Sequence, residues 1–329
     1  MRIDSHQHVY WHGRDAAGLV SDMDAHRIDR AWLLSWEVLP HEDEHAYHGV
    51  LNPLNIRPDG THSGIPLSDL IRARDAYPDR FVLGYFPHPQ LAEAPKLFEA
   101  AVKIHGVRVC GEWKFRMCFD DPRCLEVYRA AGRLGCPVVL HLDVPYLADA
   151  ATGEMRYQNN WYGGTIDHLE RALDACPETT FIGHAPGFWR EISGDCATDP
   201  SAYPRGPIVP GGRLHGLFER HENLYADLSA GSALNALKRD PTHARAFLTR
   251  FADRLLFGRD YYGGDLLDFL ATLELPTEIR EKIFHTNAQQ LVPLEAGDSG
   301  GVRTLEHTPG SIGSAKGSTP LSTSTEGSR

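Results

Sequence analysis

Two histidines, His6 and His8, lie two residues apart near the start of the chain, at the end of an apolar run. In a β-strand, residues i and i+2 point to the same face, so both imidazoles can reach one point in space. A neutral imidazole is a good ligand for Zn²⁺ and similar cations. Packed or surface histidines can show the same spacing, so the interpretation depends on the rest of the chain.

Further ionisable residues stand at the ends of later apolar runs. They are Glu112, Lys114, His141, His184 and Asp260. If these runs are parallel strands of a barrel, their carboxyl ends meet at one mouth, where barrel enzymes place their chemistry. Each residue alone has an ordinary structural explanation, such as a helix N-cap for the aspartate. Together with the first two histidines they supply three or four metal ligands and a general base.

Eight strand-like runs alternate with helical patterns, which is typical of parallel βα units. The runs are residues 2–5, 30–35, 81–86, 107–115, 137–142, 179–183, 223–228 and 255–258. The pattern also predicts a short helix at 23–30 and a final helix at 277–291. An open sheet would typically carry a glycine-rich phosphate turn after its first strand, where this chain has histidines. We therefore predict an α/β fold, a (β/α)₈ TIM barrel over residues 1–293 with long loops covering its C-terminal face.

Composition narrows the class of protein. The 33 Lys and Arg residues against 44 Asp and Glu residues give a net charge of −11, which disfavours nucleic acid or an anionic membrane as a partner. No signal-peptide pattern or membrane-spanning run is visible, and the six cysteines form no Cys-x-x-Cys pair. We expect free thiols, a cytoplasmic location and a small-molecule substrate, and the sequence leaves a homo-oligomer open. The Gly-, Ser- and Thr-rich residues 296–329 are predicted to be a disordered tail.

The sequence resembles the amidohydrolase superfamily, specifically its amidohydrolase-related branch, over roughly residues 1–293. Each motif that carries the resemblance is weak alone, but the set is specific. The motifs are IDSHQH at 3–8, YPDRF at 77–81, VLH at 139–141, IGH at 182–184, YADLS at 225–229, RLLFGRD at 254–260 and NAQQL at 287–291. The branch includes hydrolases and many decarboxylases.

The resemblance implies a role for each residue. His6, His8 and His141 would bind one divalent metal, with Zn²⁺ the expected ion. Asp260 would complete the ligand shell and accept a proton from the water that the metal activates. His184 would hydrogen-bond that water or the substrate carbonyl. The chemistry agrees, because three protein ligands leave an open position on a catalytic zinc, and the cation lowers the pKa of its water to about 7.

The fourth strand leaves the number of metals open. Two-metal members of the superfamily carry a carboxylated lysine there, whereas this chain has Glu112 and Lys114 on one strand face. Glu112 could bridge two ions or support the first one. Lys114 could be a carbamate, a substrate anchor or the salt-bridge partner of Glu112. We favour a one-metal site and keep a second, bridged metal as the alternative.

Residues for substrate binding are harder to place. The candidates on the two long loops are Trp161, Tyr162, Phe188, Trp189 and Arg190. They could form an apolar wall that stacks on a ring, or they could only pack the loops. Arg116 and Arg259 are further candidate anion partners, although alternation along the strand directs Arg259 away from the mouth if Asp260 faces it. For Asp227, on the seventh run, we expect a structural role.

Three functions follow as hypotheses. The leading one is a metal-dependent hydrolase that uses a metal-activated water on an amide, lactone or ester-like bond of a small molecule. The alternative is a metal-dependent decarboxylase of a small aromatic or unsaturated acid. Decarboxylases of the branch often have Glu-x-His or Asp-x-His in place of His-x-His, which slightly favours hydrolysis. A barrel that only binds metal is disfavoured by His184 and Asp260, because catalysis needs them and metal affinity alone does not.

Overall fold

The computed structural model describes residues 1–149, 151–199 and 201–293. Its central sheet has eight strands, each within or overlapping one of the eight predicted runs. The strands are β1 (Ile3–Gln7), β2 (Arg30–Leu34), β3 (Phe81–Gly84), β4 (Cys110–Trp113), β5 (Val138–His141), β6 (Phe181–His184), β7 (Leu224–Asp227) and β8 (Leu255–Leu256). β2, β5 and β6 are largely apolar because both faces of the sheet are covered.

The strands pair in chain order around a closed barrel. Parallel ladders join β1 to β3 through β2, and β4 to β8 through the strands between them. Gly84 pairs in parallel with Val109, which joins β3 to the start of β4. Ser5 N donates a hydrogen bond to Phe257 O at 2.9 Å, which joins β1 to the end of β8. The predicted (β/α)₈ architecture is confirmed.

Helices alternate with the strands, most of them on the outside of the barrel and two short ones, His45–His48 and Pro186–Trp189, at the mouth. They are Ala16–Ala25, His45–His48, Leu67–Ala76, Ala94–His105, Pro122–Arg133, Ile166–Ala175, Pro186–Trp189, Arg213–Arg220, Ala230–Lys238, Pro241–Arg250, Asp265–Thr272, Thr277–Glu281 and Asn287–Leu291, with a π-turn at Lys282–Thr286. Several of them begin at a capping residue. The Asp121 carboxylate caps Pro122–Arg133, and Thr165 forms a capping box with His168.

Two helix predictions are wrong in their bounds. The first helix is Ala16–Ala25 and not 23–30, because Asp15 accepts a hydrogen bond from Gly18 N at 2.8 Å and starts the helix earlier. Arg27, with φ of 55°, then turns the chain into β2. The final helix, predicted as 277–291, is interrupted by the π-turn at Lys282–Thr286.

A small apolar cluster fills the barrel interior beneath the carboxyl ends of the strands. Its members come from different strands, as in the packed layers of other barrels. They include Ile3, Trp32, Leu34, Val109, Val139, Ile182 and Leu256. The cluster closes the barrel from below, so a ligand reaches the strand ends only from the mouth.

Loops build up the mouth, as predicted. Trp36–Glu37 pairs antiparallel with Gly64–Ile65 after β2, and Tyr146–Ala148 pairs with Met155–Tyr157 after β5. All six cysteines are free thiols, as expected. Among the described helices, none has both the length and the apolar character needed to cross a bilayer. The predicted disordered tail, 296–329, lies outside the described residues.

Candidate active site

Six ionisable side chains converge at the carboxyl ends of five strands, where the sequence places them. They are His6, His8, Glu112, His141, His184 and Asp260, and all are buried. Each of these except His6 lines one cavity of about 140 Å³. His6 and His8 have ring centroids 5.3 Å apart, so the two residues of the His-x-His motif do reach one region.

Glu112 lies at the centre of the four histidines. Its Oε1 is 2.7 Å from His141 Nδ1, 3.7 Å from His6 Nε2 and 3.9 Å from His184 Nε2. Its Oε2 is 3.4 Å from His8 Nε2. One carboxylate therefore faces imidazoles from three other strand ends.

Hydrogen bonds on the far side of each ring set the direction of the histidines. Asp227 Oδ2 lies 2.9 Å from His6 Nδ1, and Asp227 Oδ1 lies 3.0 Å from His184 Nδ1. Leu34 O lies 2.7 Å from His8 Nδ1. These acceptors hold a proton on Nδ1 in each ring, so Nε2 is the atom that each ring turns toward Glu112. Metal-binding histidines are oriented in the same way by a carboxylate or carbonyl behind the ring.

Asp260 is carried to the mouth by the turn after β8. It adopts a left-handed backbone with φ of 59°, and its N donates to His6 O at 2.8 Å. Its Oδ1 lies 3.6 Å from His8 Nε2, and its Oδ2 lies 3.9 Å from His184 Nε2. The carboxylate therefore faces the histidines across the cavity.

Arg259 points away from the mouth, as strand alternation predicts. Its Nε donates to Asp4 Oδ2 and its guanidinium donates to Asp22 Oδ2, both at 2.7 Å. Asp4 Oδ1 also accepts from Arg259 N at 3.0 Å and from His6 N at 3.3 Å. Asp4 thus ties the His-x-His segment to the turn that carries Asp260, which explains its place in the first motif.

The site combines several carboxylates with imidazoles. Burial lowers the pKa of His6, but the Asp227, Glu112 and Asp260 carboxylates outweigh it and raise that pKa to about 10. Burial raises the pKa of Glu112, yet the neighbouring His141, His8 and His6 hold it well below its usual range. Burial, together with His6 and His141, lowers the pKa of His184 despite Asp227. Ionised carboxylates buried at the strand ends are stabilised by a positive charge close to them.

The residues fit a divalent cation. His6 Nε2 and His184 Nε2 are buried and have no hydrogen-bond partner in the described part of the chain. Among the strand-end residues, three groups have ligand atoms within 4.8 Å of one another: His6, His8 and Glu112; His6, His184 and Asp260; and Glu112, His141 and His184. Imidazole and carboxylate are donors that Zn²⁺ accepts. His141, predicted to share an ion with His6 and His8, is grouped here with Glu112 and His184.

One interpretation of the sequence made Lys114 the salt-bridge partner of Glu112, but the two side chains do not pair in the structure. The structure has no ion pair within 4.0 Å between these two described residues. Lys114 Nζ instead lies 4.2 Å from the centre of the Trp36 ring, 5.2 Å from that of Tyr47 and 5.3 Å from that of Tyr162. Residues i and i+2 share a strand face, but a long side chain can then bend toward different neighbours.

The structure separates the predicted loop residues. Tyr162 reaches the site, with its ring centroid 5.5 Å from that of His141. Trp161 lies on the outer hairpin and donates to Tyr157 OH at 2.6 Å. Trp189 is buried and donates to Asp227 O at 3.1 Å.

The remaining candidates serve the loops. Arg190 donates to Asp199 O at 2.7 Å and also to Cys196 O, so it ties a loop together away from the cavity. Phe188 packs over Gly183, where a Cβ would lie 2.2 Å from its ring. Arg116 pairs with Glu44. Among the loop candidates Trp161, Phe188, Trp189, Arg190 and Arg116, none lines the 140 Å³ cavity.

Other cavity residues were not predicted. They are Trp11, Trp36, Tyr47, Asp143, Pro186, Tyr203, Ala230 and Tyr261. Asp143 Oδ2 lies 2.9 Å from His141 Nε2, and its place two residues after a strand-end histidine was a usable signal. The aromatic residues stand in loops without periodicity, so their convergence depends on tertiary structure.

The family model described as Amidohydrolase matches residues 3–294. This match covers almost the whole described barrel, and the chain therefore belongs to the amidohydrolase family. Members of the family are enzymes that use a divalent metal, in keeping with the histidine and carboxylate groups at the strand ends. No curated protein matches the sequence.

Solved structures share the fold. A 2,6-dihydroxybenzoate decarboxylase from Rhizobium is 18% identical, with a TM-score of 0.54 over 88% of this chain and 98% of its own. A 5-carboxyvanillate decarboxylase from Sphingomonas paucimobilis is 15% identical, with a TM-score of 0.57 over 88% and 98%. A putative 2-pyrone-4,6-dicarboxylic acid hydrolase from Pseudomonas putida is 15% identical, with a TM-score of 0.54 over 88% and 96%. At these identities the likeness concerns the barrel alone.

Proposed function

We propose that the protein is a metal-dependent hydrolase that adds water to an amide, lactone or ester-like bond of a small molecule. The observation that carries this proposal is the position of Glu112 among four histidines, with Asp260 facing them across the cavity. This is a donor set for a divalent cation with a free carboxylate beside it.

The ligand groups indicate which residues would hold metal. His6, His8 and Glu112 would hold a first ion, with the Asp260 carboxylate beside His8 and His184. His141 and His184, again with Glu112, would hold a second. Zn²⁺ is the expected ion because of its preference for imidazole and carboxylate. When bound, such a cation lowers the pKa of water and polarises a carbonyl.

The side chains of the protein move the proton. Asp260 opens onto the cavity and faces two histidines, so it is the base that takes a proton from the attacking water and returns it to the leaving group. His184 donates through Nδ1 to Asp227, so its Nε2 is an acceptor. This favours His184 as a ligand over its predicted role as a hydrogen-bond donor to the carbonyl.

Decarboxylation is the competing function because it uses the same ligands. The structural neighbours include proteins named for each chemistry. The His-x-His motif slightly favours hydrolysis, because decarboxylases of the branch often carry Glu-x-His or Asp-x-His at this position. The two reactions differ in product, since one releases an acid with uptake of water and the other releases CO₂.

A product assay separates the two. Metal-loaded protein is offered a panel of lactones and esters in weak buffer with a pH indicator. Amides are tested by detection of the released amine, and a second panel of aromatic and unsaturated acids is tested with CO₂ detection. We expect acid release that Asp260→Asn reduces by at least about 10²-fold without loss of the fold. CO₂ release without acid release from the first panel would assign the decarboxylase function, and normal turnover by the variant would remove Asp260 as the base.

A further inference from the structure

Lys114 is a buried cation that the proposed metal site does not use. Its side chain is only 8% exposed and lines the 140 Å³ cavity together with Glu112, His141 and Asp260. An ammonium carries three hydrogen-bond donors and no acceptor. In the described structure the faces of three aromatic rings lie around Nζ, with centroids at 4.2–5.3 Å, and Nζ makes no hydrogen bond.

The aromatic neighbours explain why a positive charge is tolerated there. Ring faces are electronegative and attract a cation. The Trp36 indole is fixed over the amine because its Nε1 donates to Lys114 O at 3.2 Å. Ring faces do not replace the oxygen acceptors that a buried ammonium loses from water, so its donors remain available for a partner in the cavity.

The same surroundings disfavour a carbamate on Lys114. A carbamate would place a negative group against the faces of Trp36, Tyr47 and Tyr162, which repel anions. It would also add charge beside the carboxylates of Glu112 and Asp260. Glu112 already occupies the central position between the histidines, so the site has a carboxylate there without modification of the lysine.

We propose that Lys114 binds a carboxylate of the substrate, so that the enzyme acts on small molecules carrying a negative group close to the scissile bond. This inference rests on the proposed function, since it names the substrate class of the same site. The amine belongs to the one lysine or arginine among the residues that line this cavity in the described structure. A neutral substrate would bring no negative charge to the hydrogen-bond donors of the Lys114 ammonium.

The cavity also limits what can approach Lys114. A volume of about 140 Å³ holds only the reacting end of a ligand, since whole ligand sites are usually about 300 Å³ or larger. A neighbouring cavity of about 460 Å³ shares Tyr203, Ala230 and Tyr261 with it. The remainder of the substrate would extend into this second cavity.

Equilibrium binding of a charged and a neutral isostere tests the proposal. Benzoate and benzamide are titrated by calorimetry into metal-loaded wild-type protein, Lys114→Met, Lys114→Arg and the exposed control Lys103→Met. We expect wild type to bind benzoate about 10- to 100-fold more tightly than benzamide, as for a charged hydrogen bond. We expect Lys114→Met to reduce this preference at least tenfold, Lys114→Arg to keep part of it, and Lys103→Met to keep all of it.

Equal binding of benzoate and benzamide to the wild type would overturn the proposal, even if Lys114→Met failed to fold. An unchanged preference in folded Lys114→Met with its normal metal content would overturn it too, because the benzoate would then be bound by the metal alone. The assay needs no turnover. Its outcome therefore stays distinct from a failure of the hydrolysis panel, which would bear on the proposed function.

Discussion

Asp227 accepts a hydrogen bond from His184, with 3.0 Å between its Oδ1 and His184 Nδ1. Its other oxygen does the same for His6, at 2.9 Å. One wholly buried carboxylate on β7 therefore fixes two rings that come from β6 and β1. Burial raises the pKa of Asp227, but His184 and His6 together lower it below its usual range, so the carboxylate stays ionised.

Asp227→Asn should weaken metal binding while leaving the barrel folded. An amide offers one carbonyl oxygen, so its NH₂ faces one of the two rings and forces that ring to present a proton to the site. Loss of such a supporting carboxylate typically lowers metal affinity 10- to 100-fold. Competition against a coloured zinc chelator measures this. Asp253→Asn, a change at a side chain that is 76% exposed, is the matched control, and equal affinity in both variants would refute the supporting role of Asp227.

Arg259→Met should destabilise the fold. Arg259 is the cation that faces the fully buried carboxylate of Asp4, and removal of one partner from a buried ion pair costs about 3–5 kcal/mol. The free energy of unfolding in urea measures the loss. Arg133→Met removes the pair with Glu99 from a side chain that is 62% exposed, and we expect a change of about 0.5 kcal/mol or less. Similar losses in the two variants would show that the buried Asp4–Arg259 pair stabilises the fold no more than an exposed ion pair does.

Glu37 should make stability fall as pH rises. Burial raises its pKa to about 7, although Tyr85 donates to it at 3.5 Å and Arg57 lies near. The unfolded chain ionises this group at a pKa of about 4.3. Between these values the folded protein binds more protons than the unfolded one, so this group stabilises fully below about pH 4.3 and loses its contribution as pH rises to 7.

The Glu37→Gln side chain has no carboxyl group to ionise, so this variant should not lose stability in that way as the pH rises. The free energy of unfolding of the variant minus that of wild type should therefore be about 2 kcal/mol larger at pH 8 than at pH 5. The difference between the two proteins cancels the histidines that titrate in both. Glu93→Gln, at an exposed carboxylate, is the control. A wild-type and Glu37→Gln difference that is the same at both pH values would show that Glu37 ionises normally.

The sequence predicted those site residues whose positions follow from the alternation of side chains along a strand or from the place where a strand ends. His6 and His8 follow from the i, i+2 rule, and His141, His184 and Asp260 follow from the rule that barrel strands end at one mouth. The joint pattern also led to the correct family. These rules act locally or through the fold class, so a single sequence is enough to apply them.

What the sequence did not predict depends on contacts between distant segments. Trp189 and Arg190 stand in a loop, where no periodicity shows whether a side chain faces the cavity or the loop itself. The place of Lys114 among three rings from two loops needed their tertiary positions. Asp227 was expected to be structural, but its bond to His6 joins β7 to β1, two strands that are not neighbours in the sheet.

Metal content per chain is the most direct test of the metal centre. Elemental mass spectrometry is applied to protein purified without a chelator or a histidine tag, beside the His6→Ala, His8→Ala double variant and a His105→Ala control from the barrel exterior. We expect at least one zinc-like divalent ion per chain in wild type and control, with two if Glu112 bridges, and loss of the first ion in the double variant. Absence of metal from wild type, even after reconstitution with Zn²⁺ or Mn²⁺, would contradict the account.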